Sequence, residues 1–278
     1  MAIKMLCFDL DGTLLTRDKR VSDYTLKVLA KAVEKGIHIV PTTGRLFLGL
    51  PEAVRSLPGL RYAILINGAV VYDAVEQKAI HRAEVDPETA DRVYAYMDTL
   101  PIIYDCFADD IRYVSSRNVS LLPQYVPDHN LLKMILDTRS EVPDLRAHLR
   151  QRNKGVQKLQ GYFRDQKLRA DTMEELKRRF PGLSVTTSLP FNCEINDGHA
   201  NKGEAMDKLC AMLGIDPSET MGFGDGSNDM TLIQHAGIGV AMKNAIPALQ
   251  TEADYITDSN DEDGVAKAIC KFCDICVD

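Results

Sequence analysis

Basic charge is in short supply in this chain: 33 Lys and Arg stand against 40 Asp and Glu, a formal net charge of −7. A nucleic-acid binder normally carries a basic stripe that neutralises phosphates, so that class is set aside. No apolar run approaches the roughly 18 residues of a membrane span, and there is no repeat or low-complexity tract. The first residues, Met1 to Leu10, enter a strand-like run without the layout of a signal peptide. Together these absences lead to the expectation of a cytoplasmic protein with neither a nucleic-acid nor a membrane partner. The seven cysteines are an odd set, and Cys7, Cys106, Cys193 and Cys210 are scattered among apolar neighbours, where a reduced thiol behaves as a small hydrophobe. Cys270, Cys273 and Cys276 recur at helical spacing and would suit a soft metal. They lack the second ligand pair of a zinc signature, so a helix face of reduced thiols is the simpler reading.

What is present is the composition of a folded protein, 278 residues with 45% hydrophobic and 26% charged, enough for one large domain or two modest ones. Residues 3–10 read as a buried strand ending in Asp-Gly-Thr. Ser22 is a helix N-cap before Leu26, Val28, Leu29 and Val33 at helical spacing, with Gly36 as the stop. Ile37 to Val40 is a second strand ending in Pro-Thr-Thr-Gly-Arg, Arg45 to Leu57 a second helix, and Tyr62 to Ile66 a third strand ending at Asn67-Gly68. Alternating strands and helices at this spacing imply right-handed crossovers and a parallel sheet with helices on both faces.

The same rhythm returns near the C-terminus: a helix over Asn201 to Leu213 stopped by Gly214, a strand over Thr220 to Gly224, a short helix over Met230 to His235, a strand over Gly237 to Met242 and a last helix from Val265. Between them lies a stretch of different grammar, with helices over Pro87–Leu100 and Met173–Phe180 among strands such as Arg112–Ser115 and Val156–Phe163. The expected organisation is therefore an α/β core formed by 1–84 and 188–278, with an α+β insert at 85–187. The insert holds 16 basic and 15 acidic residues, leaving 17 and 25 for the rest, so the acidity sits in the core. The basic run Arg146, Arg150, Arg152, Lys154 and Lys158 is either a solvated face or a surface for an anionic substrate.

In open α/β sheets ligands bind beyond the carboxyl ends of the strands. The first such end carries Asp9-Leu10-Asp11-Gly12-Thr13, where alternation points two carboxylates the same way, a costly arrangement unless a cation or proton separates them. Hard oxygen donors suit magnesium. The second end, Thr42-Thr43-Gly44-Arg45, offers a hydroxyl and backbone N–H groups to an anion. A later end, Gly222-Phe223-Gly224-Asp225-Gly226-Ser227-Asn228-Asp229, supplies two more acids in a glycine-rich loop, better read as metal-binding than as a dinucleotide fingerprint. Lys202, opening a helix after Asn201, places a compact cation near a phosphate.

Taken in order, these segments resemble the four motifs of the haloacid dehalogenase superfamily, and within it the Cof-type (type IIB) phosphatases with a large inserted cap. Asn67-Gly68-Ala69, Cys193-Glu194-Ile195, Gly239 to Ala245 and Asp263-Gly264-Val265 resemble the same family, so the likeness spans nearly the whole chain. Ser227 stands where Glu is frequent and Lys243 where Gly is frequent. The resemblance implies a Rossmann-like core and a Mg²⁺-dependent phosphatase acting on a small phosphorylated metabolite through an aspartyl-phosphate. It implies that Asp9 is the nucleophile and that Asp11 protonates the leaving oxygen, holding its proton until then. It implies a metal held by Asp9, the Asp11 main-chain carbonyl, Asp225 and Asp229. Thr43, the amides of Leu10 and Gly44, Lys202 and Asn228 would bind the phosphoryl oxygens. A sugar phosphomutase or a non-catalytic phosphosugar-binding protein are the alternatives, and a monomer or weak homodimer is the expected state.

Overall fold

The computed structural model describes residues 2–275, so Cys276 lies outside the described residues. The chain separates into two compact units, Met1–His81 with Asn201–Asp278, and Arg82–Ala200.

The first unit is built on a five-stranded parallel sheet in the order Tyr255–Ile256, Ile238–Ala241, Thr220–Gly224, Met5–Phe8, His38–Pro41. The strand Met5–Phe8, interior to the sheet between Thr220–Gly224 and His38–Pro41, is apolar and buried on both faces, as a parallel strand covered by helices requires. On one side Met5, Cys7 and Val40 pack against Met206, Leu209 and Cys210 of the helix Lys202–Leu213. The helices Asp23–Glu34 and Gly264–Cys273 pack against each other. The first of these starts where Ser22 Oγ accepts the Thr25 N–H at 3.0 Å, a cap of about 1 kcal/mol.

The expected helix over Arg45 to Leu57 does not form. Gly49 and Pro51 divide it into a single 3₁₀ turn, Phe47–Gly49, and one α turn, Glu52–Arg55, because proline has no N–H to continue the ladder. The strand Tyr62–Leu65 forms, but it leads a three-stranded sheet with Val70–Asp73 and Lys78–Arg82. It meets the main sheet's end through a parallel bridge between Thr42 and Ile64.

The second unit is α+β. Its six strands run in the order Leu183–Thr186, Asn192–Asp197, Lys158–Tyr162, Ile103–Ala108, Ile111–Ser115, Arg139–Val142. Helices Pro87–Met97, Leu145–Arg152 and Gln166–Arg179 supply Tyr94, Leu149 and Leu176 to the core on one face. The helices Ser116–Tyr125 and His129–Thr138 cover part of the other, around Ile103 and Tyr162. The strand Asn192–Asp197, which the expected boundary at 188 assigned to the core, pairs along Lys158–Tyr162 in this sheet. The helix Lys202–Leu213 is the first returning element of the first unit.

Charged groups are buried in the insert's sheet as well. Arg112 faces Asp105 at 3.5 Å and Tyr162 donates to the same carboxylate at 2.8 Å, while Lys158 meets Glu194 at 3.1 Å. Both cations lie over the Phe107 ring. Removing one partner of a buried pair strands the other charge. Arg112→Met is therefore expected to destabilise the protein by about 3 kcal/mol, and adding Asp105→Asn to recover most of it. Denaturant midpoints check this; a double variant as unstable as the single one would show that lost packing, not a stranded carboxylate, is the cause.

Candidate active site

The site assembles at the carboxyl end of the main sheet from segments far apart in sequence. Asp9 follows the strand Met5–Phe8, Thr43 follows the strand His38–Pro41, Asp225 follows Thr220–Gly224, and Lys202 opens the helix capped by Asn201. Asp9, Asp225 and Asp229 each present a carboxylate oxygen, and these lie within 4.8 Å of one another. Lys202 Nζ, fully buried, donates to Asp9 Oδ1 at 2.6 Å and to Asp229 Oδ1 at 2.5 Å. The other Asp229 oxygen accepts the backbone N–H groups of Asp225 and Gly226 at 3.0 and 2.9 Å. Thr13 donates to Asp225 at 2.9 Å. Gly12 completes the approach: its φ is +90°, and a β-carbon there would fall 2.4 Å from Asp225 Oδ2. Glycine is the residue for which both conditions are tolerable.

Three acids around one lysine set the electrostatics. Burial first, and then Asp229 with Asp225, push the Asp9 carboxyl up to about 7 against the opposing pull of Lys202. Burial and Asp229 push Asp225 up to about 6. Burial alone would discharge Lys202, but Asp229 and Asp9 outweigh it and hold the ammonium charged. A cluster that resists ionisation in this way is relieved by a hard cation, and its all-oxygen donor set fits one. Asp9, Asp225 and Asp229 would hold such an ion.

Asp11 stands apart from this cluster. Its carboxylate receives Arg45 Nε at 2.9 Å and Arg45 Nη2 at 2.7 Å on one oxygen, and Lys19 Nζ at 2.7 Å on the other. Partial burial alone would raise the carboxyl, yet Arg45 and Lys19 hold it below the usual range. The sequence expectation is of a proton waiting on Asp11; here the group is held ionised by two cations. Its carboxylate is not one of the three that converge at the triad, and its expected part in metal binding is through its main-chain oxygen. Arg45 is visible in the sequence as part of Thr-Gly-Arg, but nothing local marks it or Lys19 as a partner of Asp11.

The remaining expected residues lie around the same end of the sheet. Thr43 is buried, Gly44 and Asn228 half-buried, and Leu10 fully buried. The insert's basic run is largely internal to that unit: Arg146 and Arg150 close on Asp91, Arg152 on Asp109, and Lys158 on Glu194. Among the described residues no helix is long and apolar enough to cross a membrane.

A family model described as haloacid dehalogenase-like hydrolase matches residues 6–269. A 5-amino-6-(5-phospho-D-ribitylamino)uracil phosphatase of Bacillus subtilis is 31% identical over 276 residues, covering 96% of this chain and 94% of that protein. A putative phosphatase of Streptococcus pyogenes is 29% identical and covers 98% and 99% of the two chains. Among solved structures, a haloalkanoate-superfamily phosphatase of Bacteroides thetaiotaomicron superposes with a TM-score of 0.81 at 26% identity, covering 99% of this chain and 96% of that one. A sugar phosphatase of subclass IIB superposes at 0.80 with 25% identity, covering 98% of this chain and 100% of its own.

Proposed function

The chain belongs to the haloacid dehalogenase-like hydrolases, and on that footing we propose that it is a Mg²⁺-dependent phosphatase of small phosphomonoesters, sugar phosphates or similar metabolites, working through an aspartyl-phosphate. The observation that carries this reading is the convergence of Asp9, Asp225 and Asp229 on one point with Lys202 bonded to two of them. Bound there, Mg²⁺ would offset charge on the acids and on the phosphoryl oxygens. Lys202 places a fixed positive charge beside Asp9, and Thr43, the Leu10 and Gly44 amides and Asn228 supply neutral donors, the arrangement that phosphoryl transfer requires.

In the first half-reaction an Asp9 carboxylate oxygen forms a bond to phosphorus as the ester P–O bond breaks, and the departing oxygen takes a proton from Asp11. In the second, Asp11 accepts a proton from the attacking water, orthophosphate leaves and the Asp9 carboxylate is regenerated. Held ionised by Arg45 and Lys19, Asp11 is set for the second role; the first requires it to leave that pair and take up a proton. The insert, Arg82–Ala200, is assigned the selection of leaving groups.

Phosphate release from a panel of sugar phosphates and an aryl phosphate, with Mg²⁺ and with chelator, tests the reading. Turnover that chelation removes and Mg²⁺ restores is expected. Isomerised ester without free phosphate would point to a mutase, and folded, Mg²⁺-loaded protein that turns over nothing would overturn the proposal.

A further inference from the structure

The turn Ile66–Gly68 lies between the two segments assigned to the phosphoryl oxygens, and its backbone is left-handed at three successive residues: φ is 54° at Ile66, 59° at Asn67 and 101° at Gly68. Asparagine and glycine accept this region readily, whereas a β-branched residue is an outlier there. Ile66 must therefore be held by its surroundings. Its N–H donates to the Arg45 carbonyl at 3.1 Å, the Asn67 N–H donates to the Thr43 carbonyl at 3.1 Å, and the Ile66 side chain is fully buried. On the other flank, a β-carbon at Gly68 would meet the Asn201 carbonyl oxygen at 2.2 Å, so the turn presses directly on the residue that caps the Lys202 helix. The Asn67 side chain points back toward the first flank. A β-carbon at Gly44 would lie 2.7 Å from Asn67 Oδ1, and the residue is 7% exposed.

We propose that Asn67 is a positioning residue for the phosphoryl site. Its amide packs against Gly44, and its left-handed backbone ties the Thr43–Arg45 loop to Asn201, which fixes the spacing between the Thr43 and Gly44 donors and the Lys202 ammonium. The inference rests on the phosphatase reading. It also makes a distinctive claim: Asn67 acts on the group common to all substrates, so its loss is felt equally whatever the leaving group. Strain concentrated at such a turn is the kind of backbone feature that persists where surrounding structure over-determines it.

Two variants separate the side chain from the backbone. Asn67→Gly retains the left-handed conformation and deletes the amide, whereas Asn67→Asp keeps shape and conformation but puts negative charge beside Gly44. Against one sugar phosphate and one aryl phosphate, kcat/KM is expected to fall about tenfold in Asn67→Gly and about a hundredfold in Asn67→Asp. The factor should be the same for both esters, with inhibition by orthophosphate weakened in step and the melting temperature of Asn67→Gly little changed. A wild-type inhibition constant for orthophosphate in the variants, or losses that differ between the two esters, overturns the proposal. If Asn67→Asp does not fold, Asn67→Gly decides alone. A wild-type protein that hydrolyses no ester would sink the phosphatase reading separately, and calorimetry of orthophosphate binding then decides the role of Asn67: equal binding to wild type and variant, or none to either, overturns it.

Discussion

Replacing Asp9 with Asn will reduce phosphate release by roughly 10⁴-fold or more while leaving the fold in place, since an amide of the same shape cannot attack phosphorus. The size of the effect follows from chemistry rather than packing: Asp9 is bonded to Lys202 and 7% exposed, and the acids nearest to it are committed elsewhere. Asp229 is itself committed to Lys202 and to two backbone N–H groups, and Asp225 to Thr13. The decisive readout is covalent. During turnover the wild type should carry phosphate that withstands acid and is released by alkali or hydroxylamine, as an acyl phosphate is, and Asp9→Asn should carry none. Turnover surviving in the variant would mean that water attacks the ester directly and that the aspartyl-phosphate is not on the path.

The second large effect concerns stability. A carboxyl whose pKa is higher folded than unfolded contributes stability that is complete below the unfolded value and lost as pH rises through the folded one. Asp9 and Asp225, raised to about 7 and about 6 by burial and by their acidic neighbours, both act in this sense. Metal-free protein should therefore lose melting temperature, by roughly 5 °C, between pH 4.5 and pH 8. Asp11 works in the opposite direction, because its lowered pKa gives stability that is lost only on strong acidification, below this window. The raised Lys202 titrates above it. Saturating Mg²⁺ should flatten the slope, because the cation replaces the protons that the acids otherwise seek, and Asp225→Asn should flatten it in part without metal. Parallel slopes with and without Mg²⁺ would show that the triad does not hold the ion.

Much of this arrangement is legible from local pattern. The strand before Asp9, the Ser22 cap, the strand Thr220–Gly224 and the helix Met230–His235 fall where apolar runs and capping residues put them. The acids of the Asp9 and Asp225 loops could be paired in advance because both follow strands of one parallel sheet. The failures have physical causes. Arg45 to Leu57 has helical spacing, but Gly49 and Pro51 outweigh it. The strand Asn192–Asp197 alternates as readily for one sheet as for another, and only its antiparallel partner Lys158–Tyr162 decides its place. The ionised state of Asp11 depends on Arg45, 34 residues on, and on Lys19, held by a left-handed turn at φ 59°. Asn67-Gly68 suits a left-handed turn, but that the turn begins at the β-branched Ile66 and abuts Gly44 and Asn201 depends on contacts distant in sequence.

The position of the strand Met5–Phe8 bears on how the molecule comes into being. One edge pairs with His38–Pro41, made soon after it, but the other pairs with Thr220–Gly224, and Thr13 reaches Asp225 across 212 residues of chain. During synthesis the insert's six strands all leave the ribosome before that second partner exists. The strand that leads to Asp9 must then wait with an unpaired apolar edge, the state in which a nascent chain is most exposed to aggregation or chaperone capture. Long-range closure is also slow. A protein interrupted near residue 200 would thus carry every strand of the insert, yet leave Asp9 without Lys202, Asp225 or Asp229, so that the cluster of acids and lysine is complete only in the last third of translation.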